Sequence, residues 1–319
     1  MTETLLSVAH HALKFYALPD ECRVTLINLS ENATFKVEAL DGQKFALRIH
    51  RQGYHSRAAI ASELAWLMDL RRDGIVTTPK PVMGRDGELI QSVLGRHVVL
   101  FHWEAGSEPM IDNDLEKPFE ILGEQTARMH MHAKQWQRPK SFERFTWDFE
   151  TSLGENNPHW GKWRDGLGVD AAHAAIFGRA ADLIGKRLGN YGKHENRFGL
   201  IHGDLRLANL LVDGDDVKVI DFDDCGFGWF MYDAATPVSF YEHEPQVPDL
   251  LEAWKTGYRR VNVLSREDEN EIPTFVMLRR LLLVAWIGSH SETDLAKSMG
   301  VNYTHGTAEL CENYLKELG

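Results

Sequence analysis

The sequence has few cysteines, and the three that it has lie far apart. Cys22, Cys225 and Cys311 form no CxxC pair and no spacing typical of a metal site. A chain of 319 residues with so few thiols is typical of a reducing compartment, so we expect a cytoplasmic protein.

Basic residues are also in short supply. Lysine and arginine number 35 against 47 aspartates and glutamates, which gives a formal net charge of −12. This deficit argues against a protein that binds nucleic acid through its phosphates. It is compatible with a cationic substrate, although a solvated acidic surface is the simpler explanation.

Long hydrophobic runs are missing as well. The N-terminus has no basic segment followed by an apolar one, as a secretion signal requires. Apolar residues from Leu5 to Tyr16 recur instead at the spacing of an amphipathic helix. The longest apolar stretch, 275–287, contains Arg279 and Arg280 and is too short to cross a bilayer. We therefore expect a soluble protein with a buried C-terminal helix and no membrane partner.

Strand patterns dominate the first third of the chain, and helical periodicity dominates the rest. The predicted strands lie at 24–29, 34–40, 44–49, 88–93 and 97–103. The predicted helices beyond the first lie at 57–72, 115–131 and 171–188. A further hairpin, with strands 209–212 and 217–222, is predicted within the helical part. This order predicts an α+β chain of two domains, residues 1–103 and 104–319.

Three polar residues in the second half have a spacing that indicates phosphoryl transfer. Asn209 follows Asp204 by five positions, and Asp221 follows Asn209 by twelve. The predicted hairpin returns the chain to the loop that carries Asp204. One carboxylate can then take the proton of an acceptor hydroxyl, while a second carboxylate and an amide oxygen hold Mg²⁺ against the phosphates. The spacing Asp-x-x-x-x-Asn and the later Asp-Phe match the kinase catalytic loop and the start of the metal-binding DFG element.

These motifs resemble those of the phosphotransferase enzyme family, which includes aminoglycoside phosphotransferases, choline kinases, type II homoserine kinases and bacterial stress-response Ser/Thr kinases. The resemblance is carried by Ile201–Leu205 (IHGDL), Asn209–Val212 (NLLV), Ile220–Asp224 (IDFDD) and Gly228–Ala234 (GWFMYDA). It implies a bilobal protein-kinase-like fold with an N-terminal nucleotide-binding lobe and a helical catalytic lobe. It also implies that ATP and Mg²⁺ are the cofactors.

The resemblance implies a role for each residue of these motifs. Asp204 would be the catalytic base, and Asn209 and Asp221 would bind Mg²⁺. Asp223 would be an auxiliary metal residue. Two positions depart from protein kinases: Gly203 replaces the arginine of HRD, so activation through that arginine is not expected. Asp223 replaces the glycine of DFG, which argues against a DFG-flip mechanism.

Two arginines are candidates for phosphate contacts, and a glutamate of the nucleotide site is the expected partner of one of them. Arg206 resembles the lysine that faces the γ-phosphate in many protein kinases, although a surface arginine explains it nearly as well. Arg48 takes the place of the lysine or arginine that holds the α- and β-phosphates in the family. Glu63, on the following helix, is its expected ion-pair partner. For both Arg48 and Glu63 the alternative is an exposed charge.

The chain has no GxGxxG loop between its first two strands. The segment 29–34 instead offers Ser30 or Asn32 as hydrogen-bond partners for phosphate. After the last strand of the first lobe, Trp103 and Glu104 would form the hinge where backbone groups bind adenine. The missing glycine fingerprint also excludes a dinucleotide-binding enzyme.

Histidines and tryptophans in the second half suggest other sites. His130 and His132 look like a metal pair, but residues i and i+2 of a helix face different directions, so His130 is expected to be a hydrogen-bonded core residue. A tryptophan-rich region follows, with Trp136, Trp147, Trp160 and Trp163. We expect packing residues here. The alternative is a mobile wall of the acceptor pocket, because this region varies with substrate across the family.

Three functions remain open. The first is a kinase that phosphorylates a hydroxyl of a small molecule, such as an amino alcohol, homoserine or an amino sugar. The second is a Ser/Thr protein kinase, which the short segment between Asp221 and Asp233 disfavours because it leaves little room for an activation segment. The third is a nucleotide-binding regulator without turnover, which would be expected to have lost Asp204, Asn209 or Asp221.

Overall fold

The computed structural model describes residues 2–19, 21–30 and 32–319. Glu31, which belongs to the predicted phosphate loop, lies outside them. The chain forms two compact units, one of Met1–Gly106 with Gln137–Arg144 and one of Ser107–Trp136 with Phe145–Gly319. The predicted division at 103/104 into a nucleotide-binding and a catalytic lobe stays a prediction. The sequence pattern did not predict that the eight residues Gln137–Arg144 belong to the first unit.

The first unit is built around an antiparallel sheet with strand order β1-β2-β3-β5-β4. Its elements are α1 (Thr2–Leu13), β1 (Cys22–Leu29), β2 (Ala33–Ala39), β3 (Lys44–Ile49), α2 (Arg57–Arg72), β4 (Gln91–Val93) and β5 (Arg96–His102). Side chains of β2 alternate between buried and half-buried, as expected when one face of a strand covers a core. Phe35 and Val37 of β2 pack there with Leu47 of β3 and with Val8 of α1. The predicted strands and helices of this unit are therefore present.

Helix α2 positions one of the candidate site residues. Its N-terminus is capped by Ser56, whose side chain accepts a hydrogen bond from the backbone of Ala59. Trp66 and Leu67 of this helix are buried, whereas the next residue, Met68, is exposed.

The second unit is mostly helical. Its elements are α3 (Glu116–Gln135), β6 (Thr146–Trp147), α4 (Phe149–Leu153), α5 (Ala171–Tyr191), β7 (Phe198–Ile201), β8 (Leu210–Asp213), β9 (Asp216–Val219), β10 (Gly226–Trp229), α6 (Tyr232–Ala235), α7 (Val247–Arg259), α8 (Arg266–Ser289) and α9 (Asp294–Leu318). Strands β8 and β9 form the predicted hairpin, with Leu210 opposite Val219. The small sheet β6-β10-β7 was not predicted. Its strands have two to four residues, too few to show an alternating pattern.

Helix α8 is the central element of this unit and packs against α5, α6 and α9. Among the described residues it alone is long and apolar enough to cross a membrane, but 78% of its apolar window is buried inside the protein. The prediction of a buried C-terminal helix is thus confirmed. The helix extends well beyond the predicted 275–287, because its first turns are polar and are fixed by a capping box at Ser265 and Asp268.

Candidate active site

The loop with the candidate catalytic base follows β7 directly. Gly203 has φ +82°, and a Cβ at this position would lie 2.7 Å from the carbonyl oxygen of Asp224. The residue before Asp204 must therefore be glycine, where protein kinases have arginine. His202 joins the two motifs, because its Nδ1 accepts from the backbone N–H of Asp204 (3.2 Å) and its Nε2–H donates to the carbonyl of Ile220 (3.2 Å).

A buried carboxylate from α6 holds this loop from behind. Asp233 accepts the backbone N–H of His202 (3.0 Å) and that of Gly203 (2.7 Å). Its Oδ2 also lies 3.1 Å from Nε2 of His130, whose Nδ1 is hydrogen-bonded to the Tyr258 hydroxyl (3.1 Å). Asp233 belongs to the downstream motif noticed in the sequence, and its place in the structure explains why an acid stands there.

The Asp204 carboxylate is held at both oxygens. Oδ2 accepts from Nδ2 of Asn209 (2.7 Å) and from Nε of Arg206 (3.2 Å), and Oδ1 accepts from Nη2 of Arg279. Burial opposes ionisation of this group, but the charges of Arg279 and Arg206 outweigh it and lower the pKa of Asp204 below its usual value. The carboxylate is therefore ionised near neutral pH, as a general base must be.

The β8–β9 hairpin brings the backbone that leads to Asp221 back to Asn209. The backbone N–H of Ile220 donates to the carbonyl of Asn209 (2.9 Å). Asp221 is the next residue in the chain, so its backbone lies close to Asn209. Asp221 is exposed and adopts φ +58°, a left-handed conformation in which aspartate is one of the few residues tolerated. Asp223 is buried, and its backbone N–H lies 3.4 Å from Oδ1 of Asp221.

The chemistry of this donor set fits a hard divalent cation. The amide nitrogen of Asn209 is taken up by Asp204, so its oxygen is the atom left for a metal. Within the described ranges no three His, Cys, Asp or Glu side chains form a metal-binding group. An ion here would be held by Asn209, Asp221 and oxygens of a bound substrate, which is the usual mode for Mg²⁺.

In the first unit, the expected ion pair between β3 and α2 is present. Nη2 of Arg48 lies 2.6 and 2.7 Å from the two carboxylate oxygens of Glu63, and both side chains are buried. The Arg48 guanidinium also lies 5.2 Å from the ring centroid of Phe101. A pair so deeply buried is not the exposed charge that the sequence left open as an alternative.

The segment Gln137–Arg144 fixes the helix that carries Glu63. The Glu143 N–H donates to Ser62 Oγ (2.8 Å), and Glu143 accepts from Ser56 Oγ (2.8 Å). Arg144 donates to the carbonyl of Ala59 (3.1 Å). Two side chains and one backbone carbonyl of the first turns of α2 are thereby hydrogen-bonded to a segment more than 80 residues later in the chain.

The other four nucleotide-contact candidates stay predictions, and the contacts that the structure gives them lie within the first unit. Ser30 is half-buried, and its N–H donates to the Asn32 carbonyl (3.0 Å). Asn32 is buried, and its Oδ1 accepts from the backbone of Arg51 (3.2 Å), so this side chain also has a structural task. Trp103 is partly exposed, and Glu104 lies 3.5 Å from Arg71. The Trp103 N–H donates to the carbonyl of Lys44 (3.1 Å).

The histidines and tryptophans of the second unit pack as expected. His130 is fully buried and hydrogen-bonded, whereas His132 lies beside Trp136, with ring centroids 6.0 Å apart. Trp147, Trp160 and Trp163 are buried. Trp147 donates from Nε1 to the Asp224 carbonyl (2.8 Å) and lies beside Gly203. The Trp160 ring lies 5.1 Å from the Arg279 guanidinium.

Sequence reasoning missed Arg279 as a site residue. Arg279 and Arg280 stand side by side within the apolar run of α8, and both are buried. Arg280 pairs with Glu242 (2.6 Å), while Arg279 reaches Asp204. Two arginines among consecutive apolar residues could have indicated a site, because a buried charge requires a partner.

The sequence model of the phosphotransferase enzyme family matches residues 24–264. The chain belongs to this family. The microcompartment-associated aminopropanol kinase, of known structure, is 45% identical to it, with a TM-score of 0.91 and 98% of each chain covered. Amicoumacin kinase of Bacillus subtilis (strain 168) is 28% identical over 257 residues, 76% of this chain and 73% of that protein.

A second solved structure, amicoumacin kinase hAmiN in complex with AMP-PNP, Ca²⁺ and Ami, is 23% identical, covers 98% of this chain and 95% of that one, and has a TM-score of 0.76. The phosphotransferase family member described here is therefore a kinase. Its predicted fold class is also confirmed: α+β and protein-kinase-like, with an N-terminal antiparallel sheet and a helix-rich C-terminal part.

Proposed function

We propose that this kinase transfers the γ-phosphoryl group of Mg-ATP to the hydroxyl of a small amino alcohol. The observation that carries the proposal is the likeness to an aminopropanol kinase, which extends over 98% of both chains at 45% identity. The net charge of −12 is in keeping with a substrate that carries an ammonium group. Cytoplasmic location is part of the proposal, because a chain of 319 residues with only three, widely spaced cysteines is typical of a reducing compartment.

Asp204 is the proposed base. As the hydroxyl oxygen of the acceptor attacks the γ-phosphorus, its proton passes to the Asp204 carboxylate and the bond from phosphorus to the β-phosphate oxygen breaks, so that ADP leaves. The lowered pKa of Asp204 supports this role, because the group is ionised before the acceptor arrives. Arg206, with Nε 3.2 Å from Asp204, is our candidate for stabilising charge on the transferred group.

Asn209 and Asp221 are the proposed magnesium residues, with Asp223 as an auxiliary. A bound Mg²⁺ would neutralise charge on the phosphates during transfer. In the first unit, Arg48 is the candidate contact for the α- and β-phosphates. Its pairing with Glu63 supports this, because the pair fixes the planar guanidinium in one orientation.

Ser30 and Asn32 remain candidates for further phosphate contacts. The Asn32 side chain already accepts from Arg51, so its backbone is the better candidate group. The backbone at Trp103 and Glu104 is the candidate for adenine recognition.

The test is ADP release from Mg-ATP across a panel of acceptors. The panel contains 1-amino-2-propanol, its uncharged counterpart 1,2-propanediol, ethanolamine, homoserine, an aminoglycoside and a generic protein substrate. We expect turnover with the amino alcohols, at least tenfold less with the diol, and none in Asp204→Asn. Preference for homoserine or for the protein would replace the proposed acceptor, and magnesium-dependent ATP binding without any turnover would favour a regulator.

A further inference from the structure

We infer that Arg279 is a positioning residue for the catalytic base: it fixes the Asp204 carboxylate in the plane and orientation needed to meet the acceptor hydroxyl. The inference deepens the proposed function, because it rests on Asp204 acting as the base. Arg279 comes from the middle of α8, 75 positions from Asp204 in sequence. It belongs to none of the motifs by which the family was identified.

The guanidinium of Arg279 is itself held rigidly. It donates from Nη1 to the Tyr232 hydroxyl (3.1 Å) and from Nε to Ser239 Oγ (3.1 Å), while Nη2 binds Oδ1 of Asp204. The side chain is 2% exposed, and its guanidinium lies 5.1 Å from the Trp160 ring centroid. It cannot turn away from Asp204 without breaking its hydrogen bonds to Tyr232 and Ser239.

Geometry distinguishes this contact from the other two on the carboxylate. Asn209 and Arg206 both bind Oδ2, and Arg206 is partly exposed, with 22% of its side chain accessible. Arg279 is the buried contact recorded for Oδ1 among the described residues. Without it, the carboxylate would be anchored at one oxygen and could rotate about its Cβ–Cγ bond, a torsion that side-chain packing alone restrains only weakly.

The residue directly before Asp204 cannot be the arginine that protein kinases have there. Gly203 stands before Asp204, and the room needed for a Cβ there is taken by the Asp224 carbonyl at 2.7 Å. The neighbouring Arg206 binds only Oδ2, and the cation on Oδ1 comes from a distant element. The central helix α8 supplies it, in a planar form that suits a carboxylate.

The experiment compares two neighbouring arginines. Arg279→Ala should lower kcat about 100-fold with acceptor KM changed less than threefold, since misplacing a catalytic group by about 1 Å has this effect. Added guanidinium ion should restore part of kcat. Arg280→Ala is the matched control: it is equally buried but pairs with Glu242, so guanidinium should not raise its kcat.

Each alanine variant removes one half of a buried ion pair and can therefore lower the fraction of folded protein. Rates are for this reason normalised to the fraction of protein that binds ATP. If Arg279→Ala does not fold, Arg279→Lys replaces it, with Arg280→Lys as its control. Lysine keeps the charge but not the planar fork, and we expect kcat to fall about tenfold in Arg279→Lys only.

Two outcomes would overturn the inference: a normalised kcat for the Arg279 variant within twofold of wild type, or equal losses and equal guanidinium responses at both positions. Either could occur while Asp204→Asn remains inactive, which would leave the proposed function intact. Activity retained in Asp204→Asn would instead remove the proposed function itself.

Discussion

Replacing Asp233 by asparagine should destabilise the protein and slow catalysis without touching a substrate group. Asp233 is fully buried and accepts the N–H groups of His202 and Gly203 as well as that of His130. Asparagine keeps one oxygen but turns an NH₂ group towards the partners of the other. One charge-assisted hydrogen bond, worth about 1.5–3 kcal/mol, is lost, and a buried donor left unpaired costs about 1–3 kcal/mol more.

We therefore expect Asp233→Asn to lower the free energy of unfolding by about 3–5 kcal/mol, measured by urea unfolding with the slope m unchanged. The same variant should lose about 100-fold in kcat, because a loop shift of about 1 Å misplaces Asp204. Asp182→Asn, an exposed change on α5, is the control and should stay within about 0.5 kcal/mol of wild type. An Asp233→Asn protein as stable and as active as this control would refute the argument.

Further predictions concern three other positions. Glu63→Gln breaks a buried ion pair and should lower the free energy of unfolding by about 3 kcal/mol. It should also raise the KM for ATP, and an unchanged KM would show that Arg48 does not contact the nucleotide. Gly203→Ala should lower kcat at least tenfold, because φ +82° and the carbonyl 2.7 Å away both oppose a Cβ; wild-type kcat would show that the loop adapts freely. Burial lowers the pKa of His130 below its ordinary 6.5, so the unfolded chain takes up a proton that the folded chain does not, and stability should fall as the pH drops from 7 to 5. The loss is up to about 2 kcal/mol, and a urea series should find it smaller in His130→Gln; an equal loss in both proteins would assign it to other groups.

The fold class and most elements were predictable because they depend on local patterns. Helix α2 was predicted with its observed ends, because its apolar residues recur at helical spacing and Gly74 follows it. The hairpin before Asp221 was predictable from its Asp-Gly turn between apolar residues. The sheet β6-β10-β7 was not, because Thr146–Trp147 and Gly226–Trp229 pair across the chain and their strands are too short for a periodicity.

The candidate site was predictable only where it follows contiguous motifs. Asp204, Asn209 and Asp221 were found from spacing, and Arg48 with Glu63 from strand alternation and family resemblance. The contact of Arg279 with Asp204 depends on how α8 packs against the loop, and no sequence spacing encodes it. The packing of segment Gln137–Arg144 against α2 was missed for the same reason, because its hydrogen-bond partners lie more than 80 residues earlier in the sequence.

The most direct test of the account is to identify the product. Purified protein is incubated with Mg-ATP and 1-amino-2-propanol, and phosphorus NMR follows the γ-phosphate. The account predicts that one phosphomonoester of the amino alcohol forms for each ADP released, and that Asp204→Asn forms none. ADP released with inorganic phosphate alone, or the same ester formed by Asp204→Asn, would contradict it.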